Sequence, residues 1–431
     1  MDNIKLKPVI SAKSKFFFGW LVVAGSWIML FIMGATASGI FFKPMLDEFG
    51  WDRATLSYVA AVGLLVFAVL SPFLGRLIDR FGPRLMLFVS LGAQTVGSTA
   101  LALTTNIFHV YIGRFLSEIR YVHATQIITN RWFVKKRGLA LGIVSTGLPI
   151  GTMVLSPVSQ YLVLVWGWRT SLFFWAALGI ILILPLLIII RNKPEDKGLT
   201  PDGDNFVNET VGTFSGPQPA GKGMKSKKEI GSNLKEVAGM RSFWLLAFSQ
   251  LFCGTGCGLL MTHTIIFATD LGYSEMIGAT LLSIQGGINL LGALITGHMS
   301  DRFARNRVLP MTHLIRCISF ITLAVTVVAG GASLWMLYLG MALFGFGWFT
   351  TSPLAAGLVA DLFGNYRMGT IIGFTNGFHM VGAAIGTYAG GITYQLTGSY
   401  LMIFAVQGVL EFLAASFVYL IRKQPGQIII D

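Results

Sequence analysis

Charge is scarce in this chain, and acidic charge is scarcest: Asp and Glu supply 19 of 431 residues, against 32 Lys and Arg. With 12% charged and 54% hydrophobic residues and a mean hydropathy of +0.69, the chain falls outside the range of an ordinary soluble domain. Cysteine is almost missing. Cys253, Cys257 and Cys317 make no disulfide framework. Cys253 and Cys257 stand one helical turn apart among Gly254, Gly256 and Gly258, which suits a thin helix face for close packing better than a metal site. No Walker A run, metal-ligand cluster or G-x-S-x-G elbow occurs, so neither ATP-driven work nor an enzyme has a motif behind it, and no cofactor is expected. The first apolar run is too long for a cleavable leader and lacks a small-residue cleavage site.

What the chain has is apolar runs of membrane-spanning length. Twelve are read, over 17–42, 54–78, 83–105, 107–130, 137–164, 169–191, 241–269, 275–299, 306–330, 333–361, 366–394 and 400–421. Backbone groups in lipid must be satisfied internally, so these are helices. The segment 192–240 is rich in Gly, Pro, Ser, Asp and Lys and reads as a linker with a short amphipathic helix over 229–238. The expected organisation is thus a six-helix bundle over 1–191, a cytoplasmic linker over 192–240 and a second bundle over 241–431. A net charge of +13 could suggest nucleic acid, but the basic residues say otherwise. Lys5, Lys7, Lys13, Lys15, Arg80, Arg84, Arg131, Lys135, Lys136, Lys225, Lys228, Arg302, Arg307, Arg422 and Lys423 all fall on one side if the spans alternate. That is the positive-inside pattern, with both termini cytoplasmic and the plasma membrane as the location.

One charged stretch organises the rest. GRLIDRFGPR, Gly75 to Arg84, follows the second span, and GHMSDRFARNR, from Gly297, follows the eighth; the two glycines lie 222 residues apart. A second repeat pairs RGLALGIVSTG, from Arg137, with RMGTIIGFTNG, from Arg367. A duplicated transporter follows. The first stretch resembles the loop signature of the major facilitator superfamily, G-x-x-x-D-R-x-G-x-R, at every defined position. The resemblance implies an all-α membrane protein of twelve helices in two pseudo-symmetric bundles. It also implies that Gly75, Asp79, Arg80 and Arg84, and in the second copy Gly297, Asp301 and Arg302, form a gating latch. A short turn kept cytoplasmic by its charge is the plainer alternative. In the second copy Ala304 and Arg305 stand where the pattern has Gly.

Within the superfamily, FFFGWLVVAGSW at 16–27, DEFGWDRATLS at 47–57, RWFVKKRGLALGIVSTG at 131–147 and DLFGNYRMGTIIGF at 361–374 resemble the monocarboxylate-porter and oxalate/formate-antiporter branch. That branch often carries a carboxylate-binding Arg four residues before the eighth-span Gly; here the position is Ala293. Span eight offers Gln285, Asn289 and Thr296 on one face instead.

Ionisable groups at membrane depth are functional candidates by default. Span four holds Arg114, Glu118, Arg120 and His123. Arg114 and Glu118 share a face, as an i, i+4 pair that can satisfy itself, while Arg120 is read as facing the cavity or as neutralised by another acid or by carbonyls. Arg316 and Glu411 lie mid-span in helices nine and twelve and suit a structural ion pair. His379 shares a stripe with Thr375, Asn376, Gly382, Ala383 and Gly386, right for a cavity; a His satisfied by a neighbouring helix is the alternative. Ser145, Pro149, Thr152 and Ser156 form a stripe in span five, and Thr350 to Pro353 a helix break in span ten. The substrate-binding set is therefore Arg120, His123, Asn289, Gln285, His379, Asn376 and Thr152, with His379, Glu118 and His123 for proton coupling.

Together these readings describe a monomeric secondary transporter of a small organic anion in the lipid bilayer, coupled to protons or working by exchange, with no nucleic-acid partner. Efflux of a larger apolar or zwitterionic compound is the alternative within transport. A membrane sensor that kept the fold is the alternative outside it.

Overall fold

The computed structural model describes residues 17–36, 38–119, 123–133, 136–203, 234–330, 333–363 and 368–421. No strand occurs among them. The helices are α1 (Gly19–Met33), α2 (Ser38–Phe49), α3 (Arg53–Phe81), α4 (Pro83–Ala102), α5 (Ile107–Glu118), α6 (His123–Trp132), α7 (Arg137–Ser145), α8 (Gly147–Ile189), α9 (Leu234–Ala238), α10 (Arg241–Asp270), α11 (Glu275–Arg302), α12 (Arg305–Val328), α13 (Leu334–Gly347), α14 (Thr351–Phe363), α15 (Met368–Thr397) and α16 (Leu401–Tyr419).

Nine helical runs among the described residues are long and apolar enough to cross a membrane. One of them, Leu139–Ile189, holds 51 residues, too many for a single crossing. It divides at Gly167, whose φ of 80° and ψ of 158° belong to no helix and are open to glycine. The two more polar runs, α5–α6 and α15, bring the total to twelve crossings. Pro83 opens α4, where its missing N–H is no loss, and Pro157 and Pro185 lie inside α8.

The packing repeats. In the first half α1 lies on α8, α4 on both α5 and α8, and α3 on α5; in the second α10 lies on α15, α12 on both α13 and α16, and α11 on α13. Taken as crossings, these are the same neighbours in each half. The halves meet through α3 on α15, α8 on α11 and α2 on α10. A core shared by both sits there, with Phe41, Phe42, Leu56, Leu155 and Leu172 from the first half against Ile265, Ile266 and Leu282 from the second.

Small residues let the backbones close up. A Cβ at Gly254 or Gly258 of α10 would strike the His379 or Ala383 carbonyl of α15, and one at Gly382 or Gly386 would strike Leu251 or Thr255 of α10. The glycines beside Cys253 and Cys257 thus serve packing, while the two sulfurs turn toward α12.

The turn closing the first charged stretch is pinned. Gly82, at φ 86°, faces the Asn192 side chain. Asn192 Oδ1 accepts from the Arg84 amide at 3.0 Å, and the Arg84 guanidinium donates to the Leu187 carbonyl at 2.7 Å.

Candidate functional site

A cavity of about 270 Å³ lies between the halves. The first half contributes Gly34, Leu64, Phe67, Arg114 and Thr152 to its wall. The second contributes Gln250, Cys257, Met261, Thr262, Trp348, Phe349, Thr351, Ser352, Asn376, His379 and Thr387. Local geometry explains several of these. α13 ends at Gly347 and α14 begins at Thr351, so the break exposes Trp348, Phe349 and the first hydroxyls of α14 to the cavity. Asn376, His379, Ala383 and Thr387 follow at helical spacing along α15. Gln250 Nε2 and His379 Nδ1 are buried atoms on this wall with no hydrogen-bond partner among the described residues. A polar atom in that position is available to a bound molecule.

Thr152, Asn376 and His379, three of the residues expected to bind substrate, line the cavity together. Gln285 and Asn289 do not, which departs from the expectation. Both are buried, with Gln285 Nε2 donating to Met261 Sδ at 3.4 Å and Asn289 Nδ2 to the Gly345 carbonyl at 2.9 Å. Their face of α11 turns to α13, where Gly345 admits the Gln285 backbone. Ala293, where the branch has an Arg, is exposed on α11 and is no part of the cavity wall. Among the described residues Arg114 is the cation on the wall, and the side chain of Glu118, expected beside it, lies outside them. Arg120 and the side chains of Glu118, His123, Gly75, Asp79 and Asp301 lie outside the described residues. Arg80, Gly297 and Arg302 are exposed. His263 is satisfied rather than open, its ring bonded to Tyr400 Oη at 3.0 Å and to the Thr387 carbonyl at 2.9 Å.

A second cluster lies behind the cavity and wholly inside the second half. Arg316 Nη2 stands 2.6 Å from Glu411 Oε1, and His313 Nδ1 2.9 Å from Glu411 Oε2, all three side chains fully buried. Arg316 also donates to Cys253 Sγ and to the Cys253 carbonyl, both at 2.8 Å. Phe344 stacks under its guanidinium at 4.7 Å. Every charge here has a near counter-charge or a polar partner, as burial demands.

At the end of the molecule where Arg53 opens α3, ion pairs join the halves. Arg53 holds Asp270 through both nitrogens, Nη2 to Oδ1 at 2.6 Å, with its guanidinium 3.8 Å over the Tyr394 ring. Lys43 reaches Glu275 at 3.4 Å, and Gln160 Nε2 donates to the same carboxylate at 2.8 Å. At the opposite end the described ion pair is Arg305 with Asp361, at 2.7 and 2.8 Å, and it stays inside the second half. Sequence reasoning missed these pairs. For Arg305 there was a signal, its place where the repeat has Gly; for Arg53 and Asp270, 217 residues apart, there was none.

A model of the Major Facilitator Superfamily matches residues 24–387. The chain belongs to the major facilitator superfamily. It is a multi-pass membrane transporter, and the superfamily's small-molecule cargo places a substrate in its function. Similar curated proteins include the uncharacterized MFS-type transporter YcxA of Bacillus subtilis, 26% identical over 90% of this chain and 91% of that one. Monocarboxylate transporter 13 of Rattus norvegicus is 25% identical over 90% and 86%. Monocarboxylate transporter 4 of Gallus gallus is 23% identical over 95% and 85%.

Proposed function

We propose that the protein carries a small, monocarboxylate-like organic anion, in symport with protons or by exchange, as the two bundles 1–191 and 241–431 rock about the central cavity. The observation that carries this reading is the placing of Arg114 from one half and His379 from the other on one cavity wall. A guanidinium in a water-poor cavity binds a carboxylate through charge-assisted, planar hydrogen bonds. An imidazole can carry a proton as the anion arrives, which couples the two by reciprocity. The names of the monocarboxylate transporter relatives agree with that chemistry. Arg120, His123 and Glu118 remain candidates for the same work on sequence grounds, and Asp79 with Arg80 and Arg84 for the latch. With the termini cytoplasmic and the protein in the plasma membrane, the Arg53 end faces outward, and the chain acts as a transporter without enzymatic chemistry.

The test is a thermal-shift screen of purified protein against carboxylates, amino acids and sugars, since ligands that bind the folded state raise its transition. Carboxylates alone should do so; a shift by sugars or cations only overturns the reading. His379→Gln should abolish accumulation driven by a pH gradient in proteoliposomes while exchange at equal pH survives in part. Efflux of a larger apolar or zwitterionic compound is the second reading, favoured by Phe67, Trp348, Phe349 and Met261 on the cavity wall.

A further inference from the structure

We propose that His263 is a positioning residue for closure at the Arg53 end, which it fastens while its ring is neutral and releases when the ring takes up a proton. The inference rests on the rocking of the halves proposed above and on no choice of cargo. His263 is 2% exposed and touches both halves. From the second half, the Thr387 carbonyl lies 2.9 Å from its Nε2 and Tyr400 Oη 3.0 Å from its Nδ1. From the first, Ser57 Oγ lies 3.4 Å from Nε2, and the Phe42 ring stands edge-on at 5.7 Å. A Cβ at Gly390 would strike the imidazole and one at Gly391 would strike Ser57, so a bare backbone lets α15 lie against both.

Hydrogen-bond chemistry sets the tautomer. A carbonyl only accepts, so Nε2 carries the hydrogen given to Thr387. In the neutral ring Nδ1 then accepts, and Tyr400 must donate to it. That fixes the Tyr400 hydroxyl, and the closure leans on this side chain. Tyr400 packs on Tyr394 at 4.9 Å, and the Arg53 guanidinium lies 3.8 Å over the Tyr394 ring while it holds Asp270. On the other side Thr387 belongs to the wall of the central cavity, and its hydroxyl lies 3.3 Å from that of Thr262 on the same wall. The imidazole thus stands between the cavity and the ion pair that closes one end.

A protonated ring carries hydrogens on both nitrogens and cannot accept from Tyr400. The hydroxyl must turn, which leaves a buried donor unpaired. Nor does the new charge meet a free carboxylate among the described residues. Ser57, Phe42, Thr387 and Tyr400 against the ring are uncharged, as is Tyr394 beyond them. Asp270 is held by Arg53, Lys43 of α2 is held by Asp47 and Glu275, and Arg53 itself is a like charge within electrostatic range of the ring. Opening the Arg53 end relieves both costs, because water then reaches the ring and the hydroxyl. Acid therefore favours the state open at that end, and by reciprocity closure expels the proton.

The experiment follows distances between spin labels on cysteines introduced at Leu103 and Leu396, exposed positions in opposite halves near the Arg53 end, with Cys317 replaced by serine. From about pH 8 to about pH 5 the open population of this protein should rise about fivefold or more. His263→Gln offers an amide hydrogen to Thr387 and an oxygen to Tyr400 but takes up no proton. It should keep the end closed and erase the acid response. His263→Leu makes neither bond and should open the end at both pH values; if it fails to fold, the parent and the glutamine variant decide. If the glutamine variant still opens with acid, the proton falls elsewhere, Asp270 first, and the inference is wrong. It is equally wrong if that variant is open at every pH. If acid leaves the parent closed while Arg53→Gln opens the same end, His263 is no proton-sensitive fastener and the rocking stands. If neither pH nor any variant moves the labels, the rocking falls and this inference with it.

Discussion

The ion pairs that cross between the halves differ from the His313–Arg316–Glu411 cluster inside the second half in burial as well as in place. Arg53 and Asp270 keep 23% and 18% of their side-chain surface exposed, and Lys43 and Glu275 keep 26% and 23%. Arg316 and Glu411 keep none. A pair that water reaches loses little when it opens, because each ion is rehydrated. A fully buried pair has no such exit, and removing one member strands the other. The crossing pairs suit contacts that form and break as the halves move, and the buried pair suits a bundle that moves as one body.

The largest effect should come from the buried side of this comparison. Arg316→Met leaves Glu411 without its guanidinium and should cost about 3–5 kcal/mol of stability, read by thermal or chemical unfolding in detergent. The double variant Arg316→Met with Glu411→Leu removes both charges and should recover most of the loss. A single variant as stable as wild type would break the comparison at its strongest point.

Glycine contacts extend the contrast. Gly258→Ala places a Cβ on the Ala383 carbonyl within the second half, and Gly286→Ala places one on the Pro149 carbonyl across the halves. Overpacking of this kind costs about 1–3 kcal/mol when the neighbour cannot yield. Within one half the strain has nowhere to go, so Gly258→Ala should lower the unfolding temperature. Between halves α11 can move off α8, so Gly286→Ala should change which end is open more than it changes stability. Accessibility of single cysteines introduced at each end would separate the two outcomes.

The helices were readable because long apolar runs leave the backbone one way to satisfy itself. The span bounds 137–164 and 169–191 left the split at Gly167 between them, although the apolar run continues on either side. The cavity was harder. A stripe such as Gln285, Asn289 and Thr296 shows that a helix has a polar face without showing which neighbour receives it. Here the stripe is shared out: Asn289 donates to the Gly345 carbonyl of α13, Gln285 to Met261 Sδ of α10, and Thr296 back to Gly292 in its own helix. For His379 the same kind of stripe runs along the cavity wall. Arg53 with Asp270 was beyond reach, since their meeting depends on how the halves close.

On the crossing side, Arg53→Gln removes a two-toothed ion pair and the stacking of the guanidinium on Tyr394. At this exposure the loss is about 1 kcal/mol, or roughly a fivefold shift of population toward opening at the Arg53 end. Spin-label distances across that end should lengthen. The charge swap Arg53→Asp with Asp270→Arg should restore part of the closed population, and failure of any swap would mean that stacking, not charge, holds this end.

The smallest effect should come from Glu275→Gln. Glu275 receives two groups from the first half, Lys43 at 3.4 Å and the Gln160 amide at 2.8 Å. An amide oxygen in place of the carboxylate still accepts from Gln160, so the shorter contact survives. The longer one is already shared, because Lys43 lies 2.6 Å from Asp47 one turn along its own helix. What the substitution removes is a stretched, water-exposed attraction worth well under ~1 kcal/mol, screened over a Debye length of about 8 Å at physiological salt. Closure at the Arg53 end, followed by the same spin labels, should therefore fall less than in Arg53→Gln. The difference from wild type should vanish at high ionic strength. A shift as large as that of Arg53→Gln, or one indifferent to salt, would show that Glu275 holds the halves together by something other than its charge, and the exposed pairs could not then be treated as one class.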